Sequence, residues 1–313
     1  MLHLRHTVVT TLLGCLLLAG CGQNSSVDQE PNDQTAGGAF PVAVTAGNGE
    51  VTIPAKPKRI VSLAPTATEM LYAVGAGKQV VAVDELSNYP ADAPRTKLSG
   101  FKPNAEAVIS QSPDLVVLTN DTDGIVAALT KVKIPVLLEP AATTLDETYD
   151  QLDDLGKATG HEPEADKVAG DVEAKIDAIV EKTPKPAKPL TYYHELDTTY
   201  FSVTSKTFLG QVYGKFGLKN IADAADKKGT GYPQLSAEYV VQANPDLVFL
   251  GDTKCCQQSA ATVAKRPAWS QLTAVKNGAV VGLDDDIASR WGPRVVELVQ
   301  AIADAVTKLS QPK

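Results

Sequence analysis

Two stretches of this chain are copies of one another. Asn104-Ala-Glu-Ala-Val-Ile-Ser-Gln-Ser-Pro-Asp-Leu-Val-Val-Leu118 aligns without gaps to Ser236-Ala-Glu-Tyr-Val-Val-Gln-Ala-Asn-Pro-Asp-Leu-Val-Phe-Leu250, at a constant offset of 132, with 8 of 15 positions identical. Each copy reads as an N-cap, a two-turn helix, a Pro-Asp turn and a buried strand. Asn and Ser suit the cap, and the residue before proline leaves helical geometry. A continuous apolar run suits a strand covered on both faces. A unit repeated so far along the chain implies two related lobes, each around its own sheet.

The surrounding pattern agrees. Short apolar runs at 60–64, 79–83, 115–119 and 134–138 read as strands, with helices at 67–74, 105–111, 122–131 and 145–158. A second series has strands at 190–194, 247–251 and 279–283 and helices at 206–216, 237–243 and 294–309. Ahead of both, Val42–Thr45 and Glu50–Ile53 flank an Asn-Gly pair that favours a hairpin turn. Between the series, residues 164–182 carry Ala165, Val168, Ala169, Val172, Ile176, Ile179 and Val180 on one helical stripe, ending at a proline-punctuated segment. The expected fold is α/β, two doubly wound lobes, each a mainly parallel sheet flanked by helices, joined by one long interlobe helix. A ligand is expected in the crevice between them.

The N-terminus reads as an address. Arg5 precedes an apolar stretch from Val8 to Ala19 that ends at Leu18-Ala-Gly-Cys21. The stretch is short for a membrane span of roughly 20 residues and suits an export signal. Its small residues before a cysteine resemble a lipobox, which implies cleavage before Cys21 and acylation of its thiol. The expected divisions are a signal at 1–20, a flexible tether at 21–39, an N-terminal lobe at 40–160, a bridging helix at 161–186 and a C-terminal lobe at 187–313. Cleavage removes His3, His6 and Cys15, leaving His161 and His194 as the only imidazoles and Cys255 and Cys256 as the only thiols besides the lipidated one.

That shortage bears on chemistry. Two histidines cannot build a three-histidine cage, and no metal site is expected. The chain has 37 acidic against 29 basic residues, a formal charge of −8, which argues against nucleic acid as a partner. No nucleophile elbow, zinc-protease motif or phosphate loop is present. Gly75-Ala-Gly77 follows a helix and reads as its C-cap, and Asp284-Asp-Asp286 reads as a solvated turn. An enzyme on this scaffold would have Glu69, His194 and Asp197 as candidates, without a nucleophile–base pair. The adjacent Cys255 and Cys256 suit a vicinal disulfide in an oxidising compartment, with linkage to another chain, a free dithiol and a redox role as the alternatives. His194 sits at a strand end, where α/β lobes meet ligands. Trp291 stands between Arg290 and Arg294, an aromatic plate with cationic forks suited to a flat or anionic ligand, or a packed helix start. Tyr89, Phe101, Tyr200 and Tyr232 lie in loops that can line the same crevice. Glu106 and Glu238 occupy equivalent first-turn positions in the two copies, favourable to the helix dipole and outward-facing.

Together these residues resemble the cobalamin- and ferric-siderophore-binding proteins of ABC importers. The resemblance runs from Pro57-Lys-Arg59-Ile-Val-Ser-Leu-Ala-Pro-Thr-Ala-Thr-Glu69 through Ser87-Asn-Tyr-Pro90 and both Glu-bearing helices to Arg290-Trp-Gly-Pro-Arg294. Ala64-Pro65-Thr66-Ala67-Thr68-Glu69 and Pro233-Gln-Leu-Ser-Ala-Glu238 look closest to the cobalamin binder. The resemblance implies that Glu106 and Glu238 dock onto arginines of a permease dimer. It also implies that Pro65, Thr66, Phe101 and Tyr232 meet the ligand. Where the family carries other aromatics this chain has Leu86, Ile287 and Ala288, and where it carries an acid this chain has Ser289. The implied protein is a monomeric, lipid-anchored binder without a cofactor, whose ligand is a cobalt chelate such as a corrinoid or, as the alternative, a ferric siderophore or other iron complex.

Overall fold

The computed structural model describes residues 39–310. The signal sequence, Cys21 and nearly all of the tether lie outside the described residues.

The chain opens with a hairpin of β1 (Val42–Ala46) and β2 (Gly49–Ile53), antiparallel with Val42 opposite Ile53. Gly47 and Asn48 make its turn, one residue ahead of the expected Asn-Gly pair, because Gly49, at φ 94°, already pairs with Ala46 as the first residue of β2. The Asn48 amide also fastens the hairpin to a sheet edge, donating to Val136 O (3.0 Å) and accepting from Leu138 N (3.1 Å). That sheet holds β3 (Ile60–Ser62), β4 (Val80–Asp84), β5 (Arg95–Leu98), β6 (Leu115–Leu118) and β7 (Val136–Leu138), all parallel in the order β5-β4-β3-β6-β7. Successive residues of a strand point to opposite faces. Leu115 and Val117 therefore enter the core under α1 (Pro65–Ala73) and α4 (Leu145–Thr159), while Val116 and Leu118 enter the core under α2 (Ala105–Ile109) and α3 (Ile125–Lys131). Burial on both faces is why the run is apolar throughout.

The helix α5 (Glu162–Lys182) follows, about 32 Å long at 1.5 Å per residue. Its expected stripe is divided between two cores. Ala165 packs in the first lobe, Val172 and Ile176 in the second, and Val168 against both. The second lobe has a four-stranded parallel sheet, order β11-β10-β8-β9, from β8 (Thr191–Glu195), β9 (Lys219–Asn220), β10 (Leu247–Leu250) and β11 (Val280–Gly282). Its helices are α6 (Phe208–Gly214), α7 (Ala237–Ala243), α8 (Ala260–Ala264), α9 (Thr273–Lys276), α10 (Asp285–Ala288) and α11 (Val295–Ser310). The α/β fold with two parallel sheets is the one the repeat implied.

The copies are structural equivalents down to their hydrogen bonds. Asn104 Oδ1 accepts from Ala107 N at 2.9 Å, and Ser236 Oγ from Tyr239 N at 3.1 Å. Val108 and Val240 are fully buried. Ser112 and Asn244, each before proline, take positive φ rather than the extended conformation that proline ordinarily imposes. The repeated Asp has a role sequence reading did not assign. Asp114 accepts from Lys58 N and Arg59 N, both at 2.8 Å, and Asp246 accepts from Thr191 N at 2.8 Å, so each clamps the entry to its lobe's central strand.

Several boundaries differ from expectation. The first strand stops at Ser62 because Pro65, with φ preset for a helix, starts α1 two residues early. The helix expected over 122–131 begins at Ile125, since Asp123 and Gly124 take left-handed φ. The edge strands β5 and β9 were not anticipated: Arg-Thr-Lys-Leu and Lys-Asn lack the apolar runs that marked the buried strands.

Candidate ligand-binding cleft

Parallel strands leave their C-terminal ends on one side, and the loops there build two adjoining cavities. The first, about 520 Å³, is walled by the end of β4 (Asp84), the start of β5 (Arg95), the start of α1 (Pro65, Thr66) and the turns after β4, β5 and β6, including Leu86, Phe101 and Asn120. The second, about 400 Å³, is walled by the second lobe, including His194, Phe208, Tyr232, Gly251 and Cys255, with Ala141 and Ala142 from the first. Ser289, Arg290 and Trp291 line both. The two cavities are one cleft between the lobes, divided by the segment that leads into α11.

That segment is clamped to the first lobe. Glu69, only 3% exposed, accepts from Arg290 (2.7 Å) and from Arg294 through two nitrogens (2.9 and 2.7 Å). Arg290 also donates to Asn88 Oδ1 (2.9 Å), Leu86 O (3.2 Å) and Asp286 (2.9 Å), and Asn88 donates to Asp286 (3.0 Å). Trp291 Nε1 donates to Gln151 Oε1 at 2.8 Å, and its ring packs on the cores of both lobes. The buried Ser62, Thr68, Ser87 and Asp84 form a hydrogen-bonded chain that sets the loop carrying Leu86 and Asn88. The Ala64–Glu69 motif is thus built for this clamp: Pro65 starts the helix, Thr68 orders the loop and Glu69 receives the arginines.

The site residues expected from sequence divide accordingly. Pro65, Thr66, Phe101, His194, Tyr232, Arg290 and Trp291 line the cleft. The guanidinium of Arg290 is spent on the clamp rather than left for a ligand. Arg294 stacks over Tyr89 at 4.2 Å, and both face a separate cavity of about 550 Å³ beside α5, because Glu69 draws Arg294 to the far side of the segment. Tyr200 lies outside the cleft as well, stacked on Trp269 with Arg266 over its ring, since Arg266 is held there by Glu195 through two 2.6 Å bonds. Asp284–Asp286 is no idle turn. Asp284 caps α10 and binds Lys254, Asp285 holds the loop after β10, and Asp286 joins the clamp.

The cleft's rim and floor contrast. Phe101 is 69% exposed and Tyr232 53% exposed, one from each lobe, with Leu86 at 45%. Such aromatics at a cavity mouth are available for a flat apolar ligand face. His194 is fully buried, and burial lowers its imidazole to about 4, so the ring is neutral. Its Nδ1 is 2.8 Å from the Tyr213 hydroxyl, while Nε2 has no hydrogen-bond partner among the described residues. A side-chain carbon at Gly251 would stand 3.0 Å from Nε2, so the glycine leaves that nitrogen room. Burial raises the Asp84 carboxyl on the opposite wall. Sequence reasoning missed Asp84, Arg95 and Asn120. Arg95 is exposed and, among the described residues, makes no ion pair, which leaves it the uncommitted guanidinium of the cleft. The only available signal was position, since each follows or sits in a strand feeding the cleft.

Of the remaining candidates, Cys255 lines the second cavity beside His194, and the others stand apart from the cleft. Glu69, His194 and Asp197 do not come together: Asp197 accepts from Thr199 N and Oγ1 in a local turn. Glu106 and Glu238 are exposed on the equivalent helices α2 and α7, and hydrogen bonds from its own backbone and Ser236 hold the Glu238 carboxyl below its usual range. Cys255 and Cys256 sit in the turn after β10 with their sulfurs 2.7 Å apart. Among the described residues, no three His, Cys, Asp or Glu side chains are grouped to hold a metal ion.

Comparison with known proteins places this geometry. Residues 60–287 match the family model described as periplasmic binding protein. An uncharacterized ABC transporter substrate-binding lipoprotein of Bacillus subtilis, YvrC, is 33% identical over 305 residues, covering 94% of each chain. A cobalamin-binding protein of Halobacterium salinarum is 32% identical over 278 residues, 85% of this chain and 74% of that one. The structure of a Staphylococcus epidermidis protein described as a possible iron-binding, periplasmic solute-binding protein superposes with a TM-score of 0.70 at 26% identity, covering 80% of this chain and 99% of that one. Two parallel-sheet lobes, the cleft at their strand ends and a family match over most of the chain lead to one conclusion: this chain belongs to the periplasmic binding protein family.

Proposed function

We propose that this protein is an extracytoplasmic solute-binding protein, anchored by a lipid on Cys21, that captures a metal-chelate nutrient between its lobes and delivers it to the permease dimer of an ABC importer. The observation that carries the reading is the pair of exposed aromatics, Phe101 and Tyr232, at the mouth of an interlobe cleft. They supply apolar faces for a large flat ligand, and a corrinoid is the first choice, supported by the cobalamin-binding relative. Among the described residues no helix is long and apolar enough to cross a membrane. The protein acts by binding and release, without covalent chemistry and as a monomer.

A second reading, an iron complex, is favoured by Arg95 and by the smaller cleft residues Leu86, Ala288 and Ser289. An unpaired guanidinium suits an anionic chelate. Titration of cyanocobalamin, a ferric hydroxamate, a ferric catecholate, ferric citrate and haemin separates the readings. Trp291 lines the cleft and Trp269 is fully buried, so quenching of Trp291 fluorescence is expected with the cognate chelate, weakened roughly tenfold by Phe101→Ala. Silence toward every chelate, confirmed by calorimetry, overturns the transport reading.

A further inference from the structure

Cys255 and Cys256 form the one dithiol among the described residues, and neither the clamp nor the aromatic rim of the cleft makes use of it. The turn that carries it is tightly fastened. Lys254 N and Cys255 N donate to the Asp285 carboxylate at 2.8 to 3.0 Å, and Thr253 Oγ1 donates to the same group at 2.8 Å. Lys254 Nζ binds Asp284 and Asp286, each at 2.7 Å. At the other end, Asp252 O accepts from Cys256 N (3.2 Å) and Gln258 N (3.3 Å). The backbone is held and the sulfurs are what remains free to move. They stand 2.7 Å apart, so a bond can close between them without a second chain; because neighbouring Cα atoms are only about 3.8 Å apart, below the usual disulfide span, closure strains the peptide that joins them.

Two further observations tie this turn to the cleft. Cys255 lines the same cavity as His194, whose Nε2 is buried without a partner. Asp286, held by Lys254, also holds Arg290 and Asn88, so an unbroken run of charged contacts joins the turn to the interlobe clamp.

We propose that Cys255 and Cys256 are a thiol modification site, a reversible vicinal dithiol–disulfide pair whose oxidation state sets how tightly the cleft holds its chelate. The coupling to affinity rests on the chelate-binding reading above; the redox chemistry does not. The oxidant is a small-molecule disulfide. One sulfur of the pair attacks it, forming a mixed disulfide and releasing one small thiol; the neighbouring sulfur then displaces the second small thiol and closes the Cys255–Cys256 bond. Both protein S–H hydrogens leave on the two small thiols, and the oxidant takes up two electrons. In the reduced state Cys255 presents a soft donor to a cavity suited to metal chelates. In the oxidised state that sulfur is tied to its neighbour, and the strain passes through Asp285 and Lys254 toward the clamp.

The full-length lipidated chain in detergent, equilibrated in glutathione buffers from reduced to oxidised, alkylated and digested with trypsin, tests the chemistry. The peptide 255–265, bounded by Lys254 and Lys265, is expected to lose two hydrogens and escape alkylation under oxidation, and to recover both with dithiothreitol. Stable glutathione on one cysteine, or a disulfide-linked dimer on a non-reducing gel, overturns the pair. Cyanocobalamin and ferric citrate are then titrated calorimetrically into both forms. Roughly tenfold weaker binding by the oxidised form is expected, with Cys255→Ser/Cys256→Ser indifferent to oxidant. Equal affinity in the two forms overturns the coupling while chelate binding stands. Binding by neither form overturns the coupling and the chelate reading together, and the peptide map still reports whether the bond forms.

Discussion

Glu69 shows how a single residue is decided by its partners. In sequence it is a helical carboxylate next to a threonine. In the folded chain it receives two guanidiniums from 221 and 225 residues away and is nearly excluded from water. Charges so buried are tolerated only when paired and hydrogen-bonded, and this one is paired across the lobes. Glu139 and His194 are buried without an ion partner, and each contributes to the pH dependence of stability. Burial, then the nearby Asp154, raises the Glu139 carboxyl from 4.5 to about 8, while burial holds His194 down at about 4. Folded Glu139 keeps a proton that the unfolded chain has lost, so its contribution declines as pH rises from 4.5 through about 8. His194 acts in the opposite sense: the unfolded ring takes up a proton below about 6.5 while the folded ring refuses it until about 4, so stability falls as pH drops through that window. Urea midpoints at pH 6 and pH 8 check the first claim. Glu139→Gln is expected to lose about 1–2 kcal/mol less than the parent chain over that interval. Equal losses contradict it.

Among the elements, the pairing of α4 with α5 is what aims the long helix. Gly160 ends α4 with φ 72°, and the chain turns back at once into α5. The helices approach so closely at Gly156 that a side-chain carbon there would stand 2.4 Å from Ala165 Cβ. Gly156→Ala is therefore expected to push α5 outward and destabilise the fold by about 1–3 kcal/mol, the usual range for overpacking, with Ala165→Gly restoring part of the loss in the double variant. An unchanged urea midpoint for Gly156→Ala contradicts the contact. Elements were legible in sequence where burial wrote a period into them. The copies at 104–118 and 236–250 were readable because both faces of β6 and β10 are covered, and α5 because its stripe is apolar on one side only. The edge strands β5 and β9 carry polar residues and no period, and their pairing is set by the neighbouring strand.

At the scale of the molecule, two connections fix the lobes relative to one another. The helix α5 contributes side chains to both cores, and the segment from Arg290 to Arg294 crosses back and is clamped by Glu69, Asn88 and Gln151. Large hinge motion on ligand binding is therefore not expected. Release is expected to come from a permease that grips both lobes, and exposed Glu106 and Glu238, one on each, are suited to that grip. Exposed carboxylates contribute little to stability but position a partner bearing arginines. Glu106→Arg/Glu238→Arg is expected to abolish chelate uptake into cells, with calorimetric affinity for the chelate unchanged. Normal uptake by the double variant removes the docking role.

The sequence by itself determined the number of lobes, the parallel sheets, the bridging helix and the family resemblance, because these rest on local signals: caps, proline turns and the periods of buried residues. It also picked out Phe101 and Tyr232, because large aromatics placed in loops stand out without any knowledge of their neighbours. Only the tertiary structure decided that Arg290 and Arg294 serve a clamp, that Tyr89 and Tyr200 face away from the cleft, and that Arg95 is left uncommitted within it. The physical reason is that a charge or ring is defined by what it meets. Those partners lie in the other lobe or on a distant loop, where no local spacing in the chain records them.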